Sequence, residues 1–357
     1  MPTYGAAGSP AQSTYNYDAL VATSVANYRS TLTDNVSTSN IFFKKLKEMG
    51  LWESADGGIN IVEDLMYGLS PVDAYDSYDE LPLTPADGIT QAQFDWRQLA
   101  APIAISEKER KQNKHRIVNL LTAKLQQADI AMQEAWAKFF LQGSLAGGGS
   151  SLITPYVSSA NGASAIDPIF AMIQKDPTAS NTIGGINQST QTWWQNQYKQ
   201  SAATTTSGYL SEILNLMNTC SKGPGGMPKI AMCDQVSWEL LSFAYYSKYL
   251  TQVVTVGDYP WPTLKFQNME VVWDQYMPDV TNTTLTPLTG KGVVIMLNPQ
   301  FMRVRYESET NFVSTDFQKP VNQDAKFKHI LWMGNVTTNN RRKNGVLHNI
   351  ARTLTVG

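Results

Sequence analysis

Apolar residues recur at intervals of three and four along Ile117, Leu120, Leu121, Leu125, Ala128, Met132, Ala135, Trp136 and Phe139, a spacing that gathers them on one face of an α-helix. Just upstream, Ser106-Glu107-Lys108-Glu109 has the Ser-x-x-Glu form of a capping box, in which serine hydroxyl and glutamate carboxylate satisfy each other's backbone N–H groups. Gly143 supplies a stop. The pattern predicts a helix from Glu107 to Gln142, about 50 Å long at the helical rise, longer than an ordinary domain needs and suited to a spine. Before it, Gly57-Gly58 opens Ile59 to Tyr67, a turn-rich stretch follows, and Ala92 to Leu99 alternates again. We read these as a two-stranded ribbon with a wide tip. A lone hairpin is marginal in water, and this tip is polar, so its support is expected from another subunit.

Ile41, Phe42, Leu46 and Met49 sit at helical spacing with Lys44, Lys45 and Lys47 between them, and Gly50 ends a short amphipathic helix. The polar stretch ahead of it reads as an extended arm. Beyond a Gly/Ser segment at 143–151, residues to Asn196 carry no secure regular element. An α+β unit then begins: helix Gly208 to Cys220, strand Lys229 to Cys233, helix Gln235 to Tyr249, and strands near Met269–Trp273 and Val293–Leu297. Met302–Tyr306, His329–Thr337 and Gly345–Thr355 read as strands returning to the spine, with Asn344-Gly345 as a two-residue hairpin signal.

Composition narrows the function classes. The chain has 357 residues, 42% of them hydrophobic, enough for a substantial core. Only 16% are charged, and the formal charge is -2, so no global field draws it onto nucleic acid. No apolar run is long enough to span a bilayer and no leader precedes the arm, so folding in the cytosol and no membrane partner are expected. Cys220 and Cys233 lack the paired spacing of a metal site and read as reduced thiols. The Asn-x-Ser/Thr matches at Asn35, Asn187, Asn282 and Asn335 carry no weight without a secretory signal.

Candidate chemistry is sparse. His115, His329 and His348 fall in three different elements and none lies in a known catalytic motif. Leu145 to Ser150 is glycine-rich but follows a helix instead of opening one, which fails the requirements of a phosphate cradle. No catalytic, cofactor or metal residue is assigned. Charge distribution says more: Glu63, Asp64, Asp73, Asp76, Asp79, Glu80, Asp87 and Asp95 occur with no Lys or Arg among them. Lys108, Arg110, Lys111, Lys114 and Arg116 crowd the start of the spine, where the helix dipole disfavours cations. Asp73, Asp76, Asp79 and Glu80 of one subunit are therefore expected to dock over those five cations of its neighbour. Arg341-Arg342-Lys343 is read as a hairpin cap on a solvated surface in preference to a DNA contact. Trp193-Trp194 and Phe243 to Tyr246 are read as core or interface anchors.

Several runs of local text carry a family likeness. They are Asn40-Ile41-Phe42-Phe43-Lys44-Lys45-Leu46, Gly57-Gly58-Ile59 and Leu65-Met66-Tyr67, then Phe94-Asp95-Trp96 leading to Pro102-Ile103-Ala104-Ile105-Ser106 and Glu109. Thr182-Ile183-Gly184-Gly185-Ile186 with Trp194 follows, then Pro320 to Ala325 and Met333-Gly334-Asn335. In that order the chain resembles the HK97-like major capsid proteins of tailed bacteriophages over nearly its whole length. The resemblance implies an α+β fold with an N-terminal arm (1–58), an extended β-hairpin loop (59–105), a spine helix and peripheral domain (106–200), an inserted α+β axial domain (201–300) and returning peripheral strands (301–357). It implies a non-enzymatic subunit that assembles with itself, as hexamers and pentamers, into an icosahedral virion shell around double-stranded DNA, built in the host cytoplasm. A separate scaffolding protein, a portal, a decoration protein and weak non-specific contact with DNA are the partners it implies. Two other readings stay open: an encapsulin-like nanocompartment shell, and a soluble enzyme with a site assembled from scattered residues.

Overall fold

The structure, a computed structural model, describes residues 46–70, 72–77, 87–112, 120–142, 166–246, 264–274, 276–277, 291–321 and 324–355. Chain contacts fall into two units, a smaller one of Ala100–Met132 and Phe312–Leu331 and a larger one of Ser39–Leu99, Gln133–Asn311 and Trp332–Gly357, in their described parts.

The chain enters through a helical turn at 46–48 with Leu46 buried, and Gly50, at φ 67°, ends it as the sequence predicts. The first half of that expected helix and the arm lie outside the described residues. A short strand that the sequence does not announce, β1 (Trp52–Ser54), then pairs parallel with β12 (Met302–Ser314). The ribbon is β2 (Asn60–Met66) against β3 (Ile89–Asp95). From it the chain runs into β4 (Arg97–Ser106), which with β1, β12 and β13 (Ala325–Thr338) makes a four-stranded sheet in the order β1-β12-β13-β4. Pro102 lies in β4, an edge strand, where a missing N–H breaks no ladder.

In the smaller unit, Ile103 and Ile105 alternate inward on β4 and are buried, as are Ala128, Met132 and Ile330. The helix start has the predicted capping box: Ser106 N–H donates to Glu109 Oε2 and Glu109 N–H to Ser106 Oγ, both at 3.1 Å. The spine appears as α1 (Glu107–Gln112) and α2 (Leu120–Gln142), with the stretch between them outside the described residues. Lys124 on α2 donates to Glu109 at 3.3 Å and to the Ala104 carbonyl at 3.1 Å, tying the second helix to the capping box.

The other end of α2 belongs to the larger unit and presents Trp136, Ala137, Phe140 and Leu141 as its buried face. Trp136 lies parallel to Phe140 at 5.2 Å and meets Trp52 and Trp332 at 5.2 and 6.1 Å. Gly334 lies beside this cluster, where an added Cβ would collide with the Arg305 carbonyl. A six-stranded sheet follows, in the order β7-β14-β11-β8-β10-β9. Its strands are β7 (Gln197–Gln200), β8 (Ile230–Cys233), β9 (Leu264–Phe266), β10 (Met269–Trp273), β11 (Lys291–Leu297) and β14 (Gly345–Ala351). Every position of β8 is buried, as befits a strand inside a covered sheet. After a short buried helix, α3 (Ile169–Met172), two longer helices, α4 (Thr206–Ser221) and α5 (Gln235–Tyr246), share the core through Tyr209, Ile213, Met217 and Leu241. Thr205 caps α4 by accepting from Gly208 N at 3.2 Å. Asp234 caps α5, accepting from Ser237 and Val293 N–H and from Arg352.

The last strand corrects the sequence reading. β14 pairs with β11 and β7 in the six-stranded sheet, whereas β13 belongs to the four-stranded one, so Asn344-Gly345 is not the turn of a hairpin. A 3-10 turn, Arg341–Lys343, makes the change of sheet. Asn344 is buried and its side chain accepts from Asn298 N at 2.9 Å, which explains a turn-type residue without a hairpin.

Candidate assembly surface

The ribbon's period-two pattern sorts its side chains by face. Ile61, Glu63, Leu65, Ala92 and Phe94 are buried, while Val62, Asp64, Met66, Ile89, Gln91 and Gln93 point outward, in the register Ile61↔Phe94 to Met66↔Ile89. Asp64 accepts from Gln91 Nε2 across the outer face at 2.9 Å. Where the ribbon narrows, Tyr67 N–H donates to the Gly88 carbonyl at 2.8 Å, and a Cβ on Gly88 would come 2.5 Å from Gly68 O. Only glycine permits that approach.

Contrary to the sequence expectation, the ribbon's inner face is supported by its own chain. It rests on a small hairpin, β5 (Thr182–Ile183) and β6 (Ile186–Asn187), whose turn holds Gly184 at φ 60°. A Cβ there would lie 3.0 Å from Ala92 Cβ and 3.1 Å from Phe94 Cζ, so the glycine serves both the turn and the close packing. Gln93 N–H donates to Gly184 O at 3.0 Å, and Tyr67 stacks on Trp193 at 5.3 Å.

Ionic contacts fix the ribbon's root. Glu63 does not belong to a solvated acidic face: it is buried and accepts from Arg305 Nε at 3.1 Å and Thr337 Oγ1 at 2.9 Å. Arg305 also binds Glu53 at 2.5 Å, and Arg303 pairs with the same carboxylate. Trp96 Nε1 donates to Gly58 O at 3.1 Å and joins the ribbon's two ends. Asn335 donates to Asp95 O and to Asp167 Oδ2, both at 2.8 Å, while Arg97 lies 3.3 Å from Asp167 Oδ1. Burial raises the Asp167 carboxyl above the usual range against the opposing pull of Arg97 and Asn335. Asn335, formally part of a glycosylation sequon, is fully buried in this joint.

The described residues of the outer face and of the stretch beyond it are exposed. Met66 and Ile89, opposite each other, are 75% and 72% exposed, and Leu69 and Val72 beyond them 83% and 92%. Asp73, Asp76 and Asp87 are exposed among these apolar residues, and Asp76 accepts from Ser77 N at 2.7 Å. Asp79 and Glu80 lie outside the described residues. On the basic side Lys108 and Lys111 are exposed on α1, whereas Arg110 is on α1 with its side chain undescribed and Lys114 and Arg116 fall outside the described residues. The cations at this helix start are partly offset within the chain, because Glu107 and Glu109 occupy its first turn, although Lys326 adds a further cation 3.8 Å from Glu107.

The basic run near the C-terminus is the largest departure from expectation. Arg341 is 1% exposed and donates to Met172 O, Trp194 O, Gln188 Oε1 and Asn196 Oδ1 at 2.7 to 3.2 Å. Burial pushes its guanidinium down to about 9. Lys343 Nζ donates to the Lys222 and Gly223 carbonyls at 2.9 Å and so closes the end of α4. Neither side chain is on a solvated hairpin, and nothing in the composition of a three-cation run distinguishes it from a surface cluster.

Cys220 and Cys233 are buried free thiols. His329 lies on β13 and His348 on β14, in different sheets, and His115 falls outside the described residues. Among the described residues there is no cluster of metal-ligating side chains, and no helix is long and apolar enough to cross a membrane.

Solved structures similar to this chain include a cyanophage A-1(L) capsid subunit, with TM-score 0.64 and 10% identity over 90% of this chain and 96% of that one. The chain has the HK97-like capsid fold. A subunit from the capsid of a native GTA particle shares that fold with TM-score 0.59 and 8% identity, over 97% of this chain and 100% of that chain. So does the SrpI encapsulin of Synechococcus elongatus PCC 7942, with TM-score 0.57 and 9% identity over 93% and 95%. No protein-family model and no curated sequence matches the chain.

Proposed function

We propose that the protein is the major capsid protein of a tailed bacteriophage, a non-enzymatic subunit that assembles through hexamers and pentamers into an icosahedral shell around double-stranded DNA. The observation that carries this reading is an HK97-like fold whose extended loop keeps one face on its own chain and leaves Met66, Leu69, Val72 and Ile89 open. Exposed apolar groups on a projecting element mark a surface that another molecule covers. A second copy of the chain is the partner, because a shell repeats one contact many times.

Magnitudes rank what the contact does. Complete burial of each large apolar side chain stabilises by about 1.5–3 kcal/mol, whereas an exposed ion pair contributes about 0.2–1 kcal/mol. The exposed apolar residues Met66, Leu69, Val72 and Ile89 therefore supply the affinity. The acidic set Asp73, Asp76, Asp79 and Glu80, facing Lys108, Arg110, Lys111, Lys114 and Arg116 of the neighbour, supplies orientation. A separate scaffolding protein and a portal complete the particle, a decoration protein is a further partner, and DNA is held by weak non-specific contact in keeping with the net charge of -2. Residues 59–105 serve as the extended loop, 106–200 as spine and peripheral domain and 201–300 as axial domain, with β14 joining the axial sheet.

A second reading, an encapsulin-like nanocompartment shell, is favoured by the Synechococcus elongatus neighbour. Particles that carry nuclease-protected DNA support the virion, and particles that carry a protein cargo support the compartment. The test of shell function itself is the double change Met66→Asp and Ile89→Asp. A folded variant that no longer forms capsomers supports the proposal, and wild-type assembly by that variant contradicts it.

A further inference from the structure

Arg341 is a cation enclosed by neutral acceptors: two main-chain carbonyls and two side-chain amides. A buried charge without a counter-charge is costly, and in some proteins such a group is kept because it holds one geometry against alternatives. The acceptors belong to the segment 172–196, which has little ladder of its own and is cemented by a network of buried amides. Gln188 Nε2 donates to Gln174 Oε1 at 2.7 Å and to Ala179 O at 3.0 Å, and Asn196 Nδ2 donates to Gln174 O at 2.8 Å. The planar guanidinium fork links these amides to the turn that leads into β14, a strand flanked on both sides within the six-stranded sheet.

The same segment carries the hairpin on which the ribbon rests. Trp194, whose carbonyl accepts from Arg341, donates its indole N–H to Ile183 O at 3.0 Å. Gly184, the next residue, bonds Gln93 of the ribbon and receives Ala92 and Phe94. Trp193 stacks on Tyr67. A continuous path therefore runs from the six-stranded sheet through Arg341, Trp194 and Gly184 to the ribbon, all within the larger unit.

We infer that Arg341 is a positioning residue for the ribbon: through Trp194 and the hairpin at Gly184 it sets the direction in which the loop is presented to a neighbouring copy. Only its consequence for assembly rests on the shell reading, since the path itself lies within one chain.

Hydrogen exchange on the purified full-length protein separates these. Arg341→Met keeps volume and removes the fork. Exchange in the ribbon strand 89–95 should rise by about tenfold or more while that of 230–233 and 293–297 stays at the wild-type level. Arg341→Lys keeps the cation without the fork and should give an intermediate rise. Lys343→Met, from the same run but closing α4, should leave ribbon exchange unchanged, and Gly184→Ala should reproduce the ribbon effect with Arg341 intact. Unchanged ribbon exchange in folded Arg341→Met would overturn the proposal, as would an equal rise everywhere or failure of both Arg341 variants to fold. If the ribbon loosens yet closed particles still form normally, the positioning role stands and the ribbon's part in assembly is what fails.

Discussion

Burial decides the chemistry of individual side chains here. The Cys220 thiol is pushed up to about 12 by its surroundings, and burial also raises Cys233 well above the usual range. A thiolate is the reactive form, so neither cysteine should react with a disulfide reagent in the native protein at neutral pH, and both should after denaturation. His348, half-buried on β14, is lowered by burial and then by Lys175. Because its folded value lies below the unfolded one, protons bind preferentially to the unfolded chain, and stability falls as pH drops below about 6.5. His348→Gln should lose less stability than wild type between about pH 7 and about pH 5 in urea titrations. Such environments are hard to read from sequence. Arg341 and Lys343 look like a solvated cluster because adjacency suggests repulsion, while the acceptors that receive them come from residues far away in the chain. Glu63 shows the reverse case, an acid in an acidic stretch that period-two alternation alone places on the buried face.

At the scale of elements, local signals are legible and non-local ones are not. The Ser106 and Glu109 box, the stop at Gly50 and the helices around Tyr209 and Leu241 all follow from spacing and cap chemistry, because those interactions close within one or two turns. Ser106→Ala should therefore cost about 1 kcal/mol in denaturant stability. The stretch up to Asn196 reads as irregular, and within 166–196 only the helical turn Ile169–Met172, the short β5–β6 hairpin and a 3-10 turn at Thr192–Trp194 are regular, since buried amides and a distant arginine define most of its path. The place of β14 in the six-stranded sheet is not legible for a related reason: its partners β7 and β11 lie far away in sequence, and the turn-like Asn344-Gly345 signal conceals a buried asparagine. The ribbon's support within its own chain is not legible in its local sequence. Gly184 and Trp193 give it a bed on its own chain, supplied by a segment about 90 residues further along the sequence.

For the whole molecule, one repeated contact between identical chains is the central claim, and its parts respond differently to conditions. Charge reversal of Lys108, Arg110 and Lys111 to Glu should impair capsomer formation and raise its sensitivity to salt, because steering by exposed charges is screened over a Debye length of about 8 Å at physiological ionic strength. Apolar burial at Met66 and Ile89 is not screened, so loss of those side chains should abolish association at any ionic strength. The most direct measurement is electron microscopy, with particle mass, of the purified chain at assembly concentration. Hollow closed particles or ring-shaped capsomers in which each ribbon tip lies on the next copy are the predicted result. A monodisperse monomer at every concentration and salt, with the ribbon tip still bare, would contradict it.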